Sequence, residues 1–295
     1  MLNEIAWAFC SGAGSAWAID ALGIAKKKSK LVSLISQGWM FEKAGHIIGG
    51  LIGMVVVLIN FRFIWLTISL LYLVMFFILW KYMEERNFKP EKVPHGYLKK
   101  SLIKAKESIS YLIHKKNRDL RILMLGEFII STAYAGFFIG TPLLFTQTLG
   151  LGPEYLGGIY AAAAALAIAG PLIANKISKK DNFGKSMFGI VFVVGTALMA
   201  LALSKSLVFA ILTFAIYQVI MVTYDVIRES ACHHEFDSKI RASLGSLGSI
   251  IWGIANSIGL VFAGIGIKFL GVVNTILISG AIMFLTAFVY LWMKE

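Results

Sequence analysis

The chain has 295 residues, of which 58% are hydrophobic and 15% charged, whereas a soluble domain carries about 45–50% and about 25%. Its mean hydropathy is +0.77 at 32.4 kDa, too much apolar side chain for a particle of that size to hide, so a soluble fold is excluded and the bilayer is the solvent. The net charge of +12 does not point to nucleic acid. The basic residues sit in short gaps between apolar runs rather than on one face of a soluble domain.

A membrane-spanning helix needs about 20 mostly apolar residues. Nine runs meet this, near 3–23, 36–59, 62–81, 119–146, 152–175, 186–204, 206–227, 243–267 and 271–293. The fold class predicted is therefore an all-α integral membrane bundle of about nine spans. The stretch from Ala44 to Trp80 carries one charge, Arg62. As one helix it would rise about 55 Å, nearly twice a hydrocarbon core, so it must reverse at Asn60-Phe61-Arg62.

Alternate gaps differ sharply in charge. One side collects Lys26, Lys27, Lys28, Lys30, the basic stretch from Lys81 to Arg121, Lys176, Lys179, Lys180, Lys185, Arg228, Lys239, Arg241 and Lys294. The other receives Arg62, Lys205 and Lys268. The positive-inside rule then places the C-terminus in the cytoplasm and the N-terminus outside a cell membrane.

The long gap after the third run contains Pro90 and Pro94, then Leu98, Leu102, Ala105, Ile109 and Leu112 at spacings of four and three. That spacing predicts an amphipathic helix with lysines off the apolar stripe. Two placements fit it: along the inner membrane surface, or packed on the ends of the bundle. The expected organisation is a three-span bundle over 1–82, a basic cytoplasmic linker over 83–118 and a six-span bundle over 119–295.

Rows of small residues at every fourth position let helix backbones approach. Such rows are Ala8/Gly12/Ala16, Gly45/Gly49/Gly53, Gly157/Ala161/Ala165/Ala169 and Gly245/Ser249/Gly253/Ser257. They predict closely packed neighbours.

With these features the chain resembles the major facilitator superfamily of secondary transporters, its drug-efflux-like branch in particular. The segment from Ser11-Gly12 through Ala16 to Asp20 is similar to the end of that family's fourth helix. Ala174-Asn175-Lys176-Ile177-Ser178-Lys179-Lys180 is similar to its A-D-R-x-G-R-K gating loop, with Asn175 in place of the acid and Ser178 in place of the glycine. Ile240-Arg241-Ala242-Ser243 resembles the entry to its eleventh helix. The resemblance implies that the nine runs are helices four to twelve, with the first three lacking. It also implies that the second run meets the fifth, pairing Gly45/Gly49/Gly53 with Gly157/Ala161/Ala165/Ala169. The row Gly245/Ser249/Gly253/Ser257 would then lack its partner.

The same resemblance makes the first, fourth and seventh runs line a midplane cavity. Glu127, a carboxylate inside an apolar run, is the expected coupling group; the alternative is a carboxylate paired with Arg121 near the membrane surface. Trp7, Ser11, Tyr134, Phe138, Tyr217 and Gln218 are the expected substrate contacts. With Trp17, Tyr224 and Asp225 they would form an aromatic, polar-dotted pocket suited to amphipathic or organic-cation substrates. Ordinary interhelical packing is the alternative for each. Asn256 is expected to make one interhelical hydrogen bond. Asn175, Lys176, Lys179 and Lys180 would form the gating loop.

Cys232-His233-His234-Glu235-Phe236-Asp237 holds metal-ligand types in sequence, but adjacent ligands on a loop seldom close a tetrahedral site, and a solvated cytoplasmic loop is expected. Neither a Walker loop nor an H-E-x-x-H motif occurs, so no cofactor, no metal and no enzymatic activity are expected. The function predicted is proton-coupled export of a small organic molecule. Its rival is a non-transporting remnant or partner subunit, which would pair with a separate piece supplying the first three helices or dimerise through the exposed seam that holds Gly253. The expected partners are thus lipid, substrate, protons and a helix partner in place of the first three helices, with no nucleic acid.

Overall fold

The computed structural model describes residues 28–82, 97–177, 183–236 and 241–293. Among these residues there is no strand, and eight helical stretches are long and apolar enough to cross a membrane. The first apolar run lies outside the described residues. Helices are the expected outcome in hydrocarbon, where each backbone polar group must be satisfied within its own segment.

α1 runs Lys28–Ile59 and α2 runs Phe63–Tyr82. They reverse at the predicted position. The Asn60 side-chain Oδ1 accepts from the Arg62 amide at 2.9 Å, and the Asn60 carbonyl accepts from Phe63 at 3.0 Å, an Asx-type turn. No residue of α2 is buried. Its side chains, Trp65, Phe76, Phe77 and Trp80 among them, are exposed all round, as suits a helix that meets lipid.

α3, Tyr97–Ile113, is the predicted amphipathic helix. A short 3-10 turn, Lys115–Asn117, leads into α4, Arg118–Leu143. Pro142 denies the Phe138 carbonyl its amide partner, and the helix leaves this site through a wider π turn over Leu144–Thr148. The next span is broken into α5, Leu156–Ala167, and α6, Ala169–Ile177. Pro171 stands four residues beyond Ala167 and removes that carbonyl's partner, so one apolar run becomes two helices.

α7 is Phe183–Ala202 and α8 is Leu207–Glu235, capped by Ser206, whose Oγ accepts from the Phe209 amide at 3.2 Å. α9 is Arg241–Leu270 and α10 is Val272–Thr286, finished by a 3-10 turn over Ala287–Trp292. One residue, Gly271, joins α9 to α10 at φ 84°, a backbone region where a side chain would be strained.

The core sits where α4, α7, α8 and α10 converge, with α9 laid along α4 and with α5 and α6 on the far side of α8. α1 packs along α5 and α6 and also reaches α8. The pairing of the second and fifth apolar runs is thus present, but the row on α1 is different. A Cβ on Gly45, Gly49 or Gly53 would meet nothing within 4 Å, whereas one on Gly50 would lie 2.8 Å from the Gly157 carbonyl. The facing row keeps Gly157 and Ala161 at the contact, while Ala165 and Ala169 are exposed. The contact on α1 is rotated by one residue, from Gly49 to Gly50, about 100° around the axis, and on α5 a strict four-residue spacing leaves the seam after Ala161.

On α9 the side toward α4 carries Gly259, which abuts the Thr132 carbonyl, and buried Ala255. Gly253 has nothing within 4 Å and Ser257 is exposed. That row therefore faces away from the described bundle.

Candidate functional site

Helix α4 is apolar on nearly all sides, so Glu127 has no solvent-facing side to turn to. It is 6% exposed. Its neighbours come from three other turns of chain. Ser131, one turn along α4, donates through Oγ to Glu127 Oε1 at 3.2 Å. Tyr224 of α8 donates its phenol to Oε2 at 3.2 Å. Arg228, one turn beyond Tyr224, brings Nε to within 2.9 Å of Oε2. The N–H does not align with the carboxylate oxygen, so the contact is a close ion pair rather than a hydrogen bond.

Tyr290, in the last 3-10 turn, shares a 3.0 Å hydrogen bond with the Tyr224 phenol. Its ring tip presses on Gly126, where any side chain would collide with it. The Arg228 guanidinium also lies 6.0 Å from the Tyr224 ring centre, within cation–π range. One carboxylate thus ties α4, α8 and the C-terminal turn together. The expected alternative partner, Arg121, is engaged elsewhere: its Nη1 donates to the carbonyls of Ile113 and His114 at 2.5 and 3.1 Å.

Asp225 lies beside this network, within electrostatic reach of Arg228 and Glu127 and also of Lys43 and Glu42 on α1. On α1, Lys43 sits 3.2 Å from Glu42 and 5.2 Å from the Trp39 ring centre, and His46 lies 3.9 Å from Glu42. Trp39 donates its indole N–H to Glu229 Oε2 of α8 at 3.0 Å. The other carboxylate oxygen of Glu229 is 3.9 Å from His233 Nε2. Opposite charges drawn together in this way lower the cost of ionisable groups inside apolar helices.

The aromatic residues form a second cluster farther along α4 and α8. Tyr217 is fully buried, with its ring 4.3 Å from Phe137, and Phe137 in turn stacks on Phe214 at 6.0 Å. The Tyr217 hydroxyl has no hydrogen-bond partner among the described residues, and neither has the buried Thr141 hydroxyl. Thr141 is one helical turn from Phe137. Tyr134 is half-buried beside Phe137 at 5.4 Å. Gln218 is half-buried. Phe138 is 60% exposed and meets Tyr134 of its own helix with ring centres 6.2 Å apart. Tyr224 belongs to the Glu127 network rather than to the aromatic cluster.

Trp7, Ser11 and Trp17 lie outside the described residues, as do Lys179 and Lys180. Asn175 and Lys176 close α6, the first half-buried and the second exposed. Asn256 is half-buried. The segment from Cys232 to Glu235, expected as a solvated loop, is instead the last turn of α8, with Cys232 and His233 buried. Among the described residues no group of three metal-ligand types comes together.

Sequence reasoning missed Arg228, Tyr290 and the Trp39–Glu229 pair. The seventh apolar run ends at 227, one residue short of the arginine, because a charge reads as a boundary in hydropathy. The usable signal was the spacing: Tyr224 and Arg228 are four apart and so share a face. Glu42 and Lys43 within the second run were a similar sign.

A profile of the Major Facilitator Superfamily matches residues 2–252. No curated protein matches the chain. With eight described helices fit to cross a membrane and a family match over most of its length, this multi-pass chain belongs to the Major Facilitator Superfamily of membrane transporters.

Proposed function

We propose that the protein exports a small amphipathic organic molecule, an organic cation in particular, by alternating access coupled to protons, with Glu127 as the coupling carboxylate. The observation that carries this reading is the Glu127–Arg228 ion pair, buried among hydroxyls at the junction of α4 and α8. Protonating Glu127 removes the anion from the pair and leaves a buried cation unbalanced, which favours a different packing of α4 against α8. A proton then changes the conformational balance through one side chain. The charge asymmetry of the gaps supports a cell-membrane location with the C-terminus cytoplasmic and the N-terminus outside.

Substrate contact is assigned to Tyr217 and Gln218, with Tyr134 at the edge and Phe138, Trp7 and Ser11 as further lining. The unpartnered Tyr217 hydroxyl among rings supports this assignment, since a buried donor gains most from a ligand that satisfies it. Asn175, Lys176, Lys179 and Lys180 are proposed as the gating loop.

The test is ethidium transport by the purified chain in proteoliposomes under an imposed pH gradient. Gradient-driven movement that Glu127→Gln abolishes, with ethidium still bound, is the expected result. Full gradient-driven transport by Glu127→Gln overturns the coupling role. A second reading, association with another helix through α9, is favoured by the open Gly253 and exposed Ser257.

A further inference from the structure

We propose that α3 is an interfacial platform that binds the anionic headgroups of the leaflet from which α4 enters the membrane. Three observations converge on it. The first is rigidity. The Tyr111 phenol donates to the Glu235 carbonyl at the end of α8 at 3.0 Å. The Asn117 amide donates to the Tyr111 carbonyl at 2.7 Å, and Arg121 of α4 caps the last carbonyls of α3. The helix is fastened to the bundle at its C-terminal end rather than trailing from it.

The second is depth. The charged residues that precede the apolar body of α4 end at Arg121, eight residues after α3 ends at Ile113. Such a short connection holds the end of α3 at the boundary between headgroups and water.

The third is the composition of its open side. Ser108 is buried and Leu112 half-buried, so one edge rests on the bundle. Ile109 and Ile113, one turn apart, are 45% and 64% exposed. Lys106, Lys115, Lys116 and Arg118 are exposed beside them, with Lys104 exposed on the side of Glu107, the exposed acid of that stretch. Isoleucines at headgroup depth, flanked by cations, match an anionic lipid surface in both polarity and charge. The two placements open at the sequence level are thus combined: one edge meets the bundle and the adjacent edge meets lipid.

The test uses the full chain with Cys10→Ala and Cys232→Ala, spin-labelled through Ile109→Cys or, on the opposite side of the helix, Glu107→Cys. Each is reconstituted in phosphatidylcholine vesicles with and without phosphatidylglycerol. Expected is a severalfold fall in relaxation by a water-soluble nickel chelate at position 109 when phosphatidylglycerol is present, with position 107 unchanged. The combined change Lys104→Gln, Lys106→Gln, Lys115→Gln and Lys116→Gln should remove that difference. Equal water access at position 109 in both vesicle types overturns the proposal. So does equal shielding in both, which would mean apolar contact without headgroup recognition.

Discussion

The Trp39 indole donates to the Glu229 carboxylate across 190 residues of sequence, at 3.0 Å. It joins α1 to α8 well away from the Gly50–Gly157 contact that joins α1 to α5. α1 is therefore held by two unlike contacts, one polar and one a close backbone approach.

Replacing Trp39 with Phe keeps most of the apolar contact and removes the donor. A hydrogen bond to a charged group contributes about 1.5–3 kcal/mol, so the purified chain should melt a few degrees lower in detergent. Unchanged melting would mean that the Glu229 carboxylate is equally well satisfied without the indole.

The Glu127–Arg228 pair predicts a non-additive mutational cycle. Arg228→Met alone leaves the carboxylate buried without its cation and should cost about 3–5 kcal/mol. Glu127→Gln combined with Arg228→Met should recover much of that loss. Chemical denaturation of the three variants measures the coupling, and simple additivity would argue against a true ion pair.

The glycines of α1 give a sharp contrast. Gly50→Leu must displace the Gly157 backbone and should destabilise by about 1–3 kcal/mol or more. Gly45→Leu and Gly49→Leu meet open space and should leave the melting curve unchanged. The opposite ranking would return the seam to the row read from the sequence.

Tyr217→Phe removes a buried hydroxyl that has no partner among the described residues. Stability should hold or rise slightly, because a lone buried polar group is a cost. Ethidium affinity, followed by fluorescence titration, should fall if that hydroxyl meets substrate. Unaltered affinity removes Tyr217 as a polar contact.

Gly253→Leu adds volume where nothing lies within 4 Å, so folding should be unaffected. If α9 associates with another helix through this side, crosslinking yield in membranes should drop. An unchanged yield ends the association reading.

The eight described spans, the turn at Asn60 and the helix after Pro94 were legible because hydropathy and 3.6-residue periodicity survive in a single sequence. The meeting of α1 with α5 followed from family resemblance, and the resemblance gave the helix pair but not its rotation. Gly50 rather than Gly49 faces Gly157, a difference of about 100° around the axis that spacing alone does not settle. The Glu127 partner was obscure for another reason. Arg228 is 101 positions away, and a charge near the end of an apolar run looks the same whether it faces water or a buried carboxylate. The Tyr290 phenol was hidden too, since a terminal aromatic normally reads as an interfacial anchor.

The interruption at Ile168 divides the surface that α1 rests on. Below the break, Gly170 of α6 lies against the α8 backbone, and the Thr223 hydroxyl donates to its carbonyl at 3.2 Å. Above it, α5 answers to Gly50 and Met54 of α1. No helical hydrogen bond from Pro171 back to Ala167 links the two pieces. Both pieces pack on α1 and on α8, but each makes its own close backbone contact, so this crossing is fastened separately on either side of the break. The proline turns one membrane crossing into a joint.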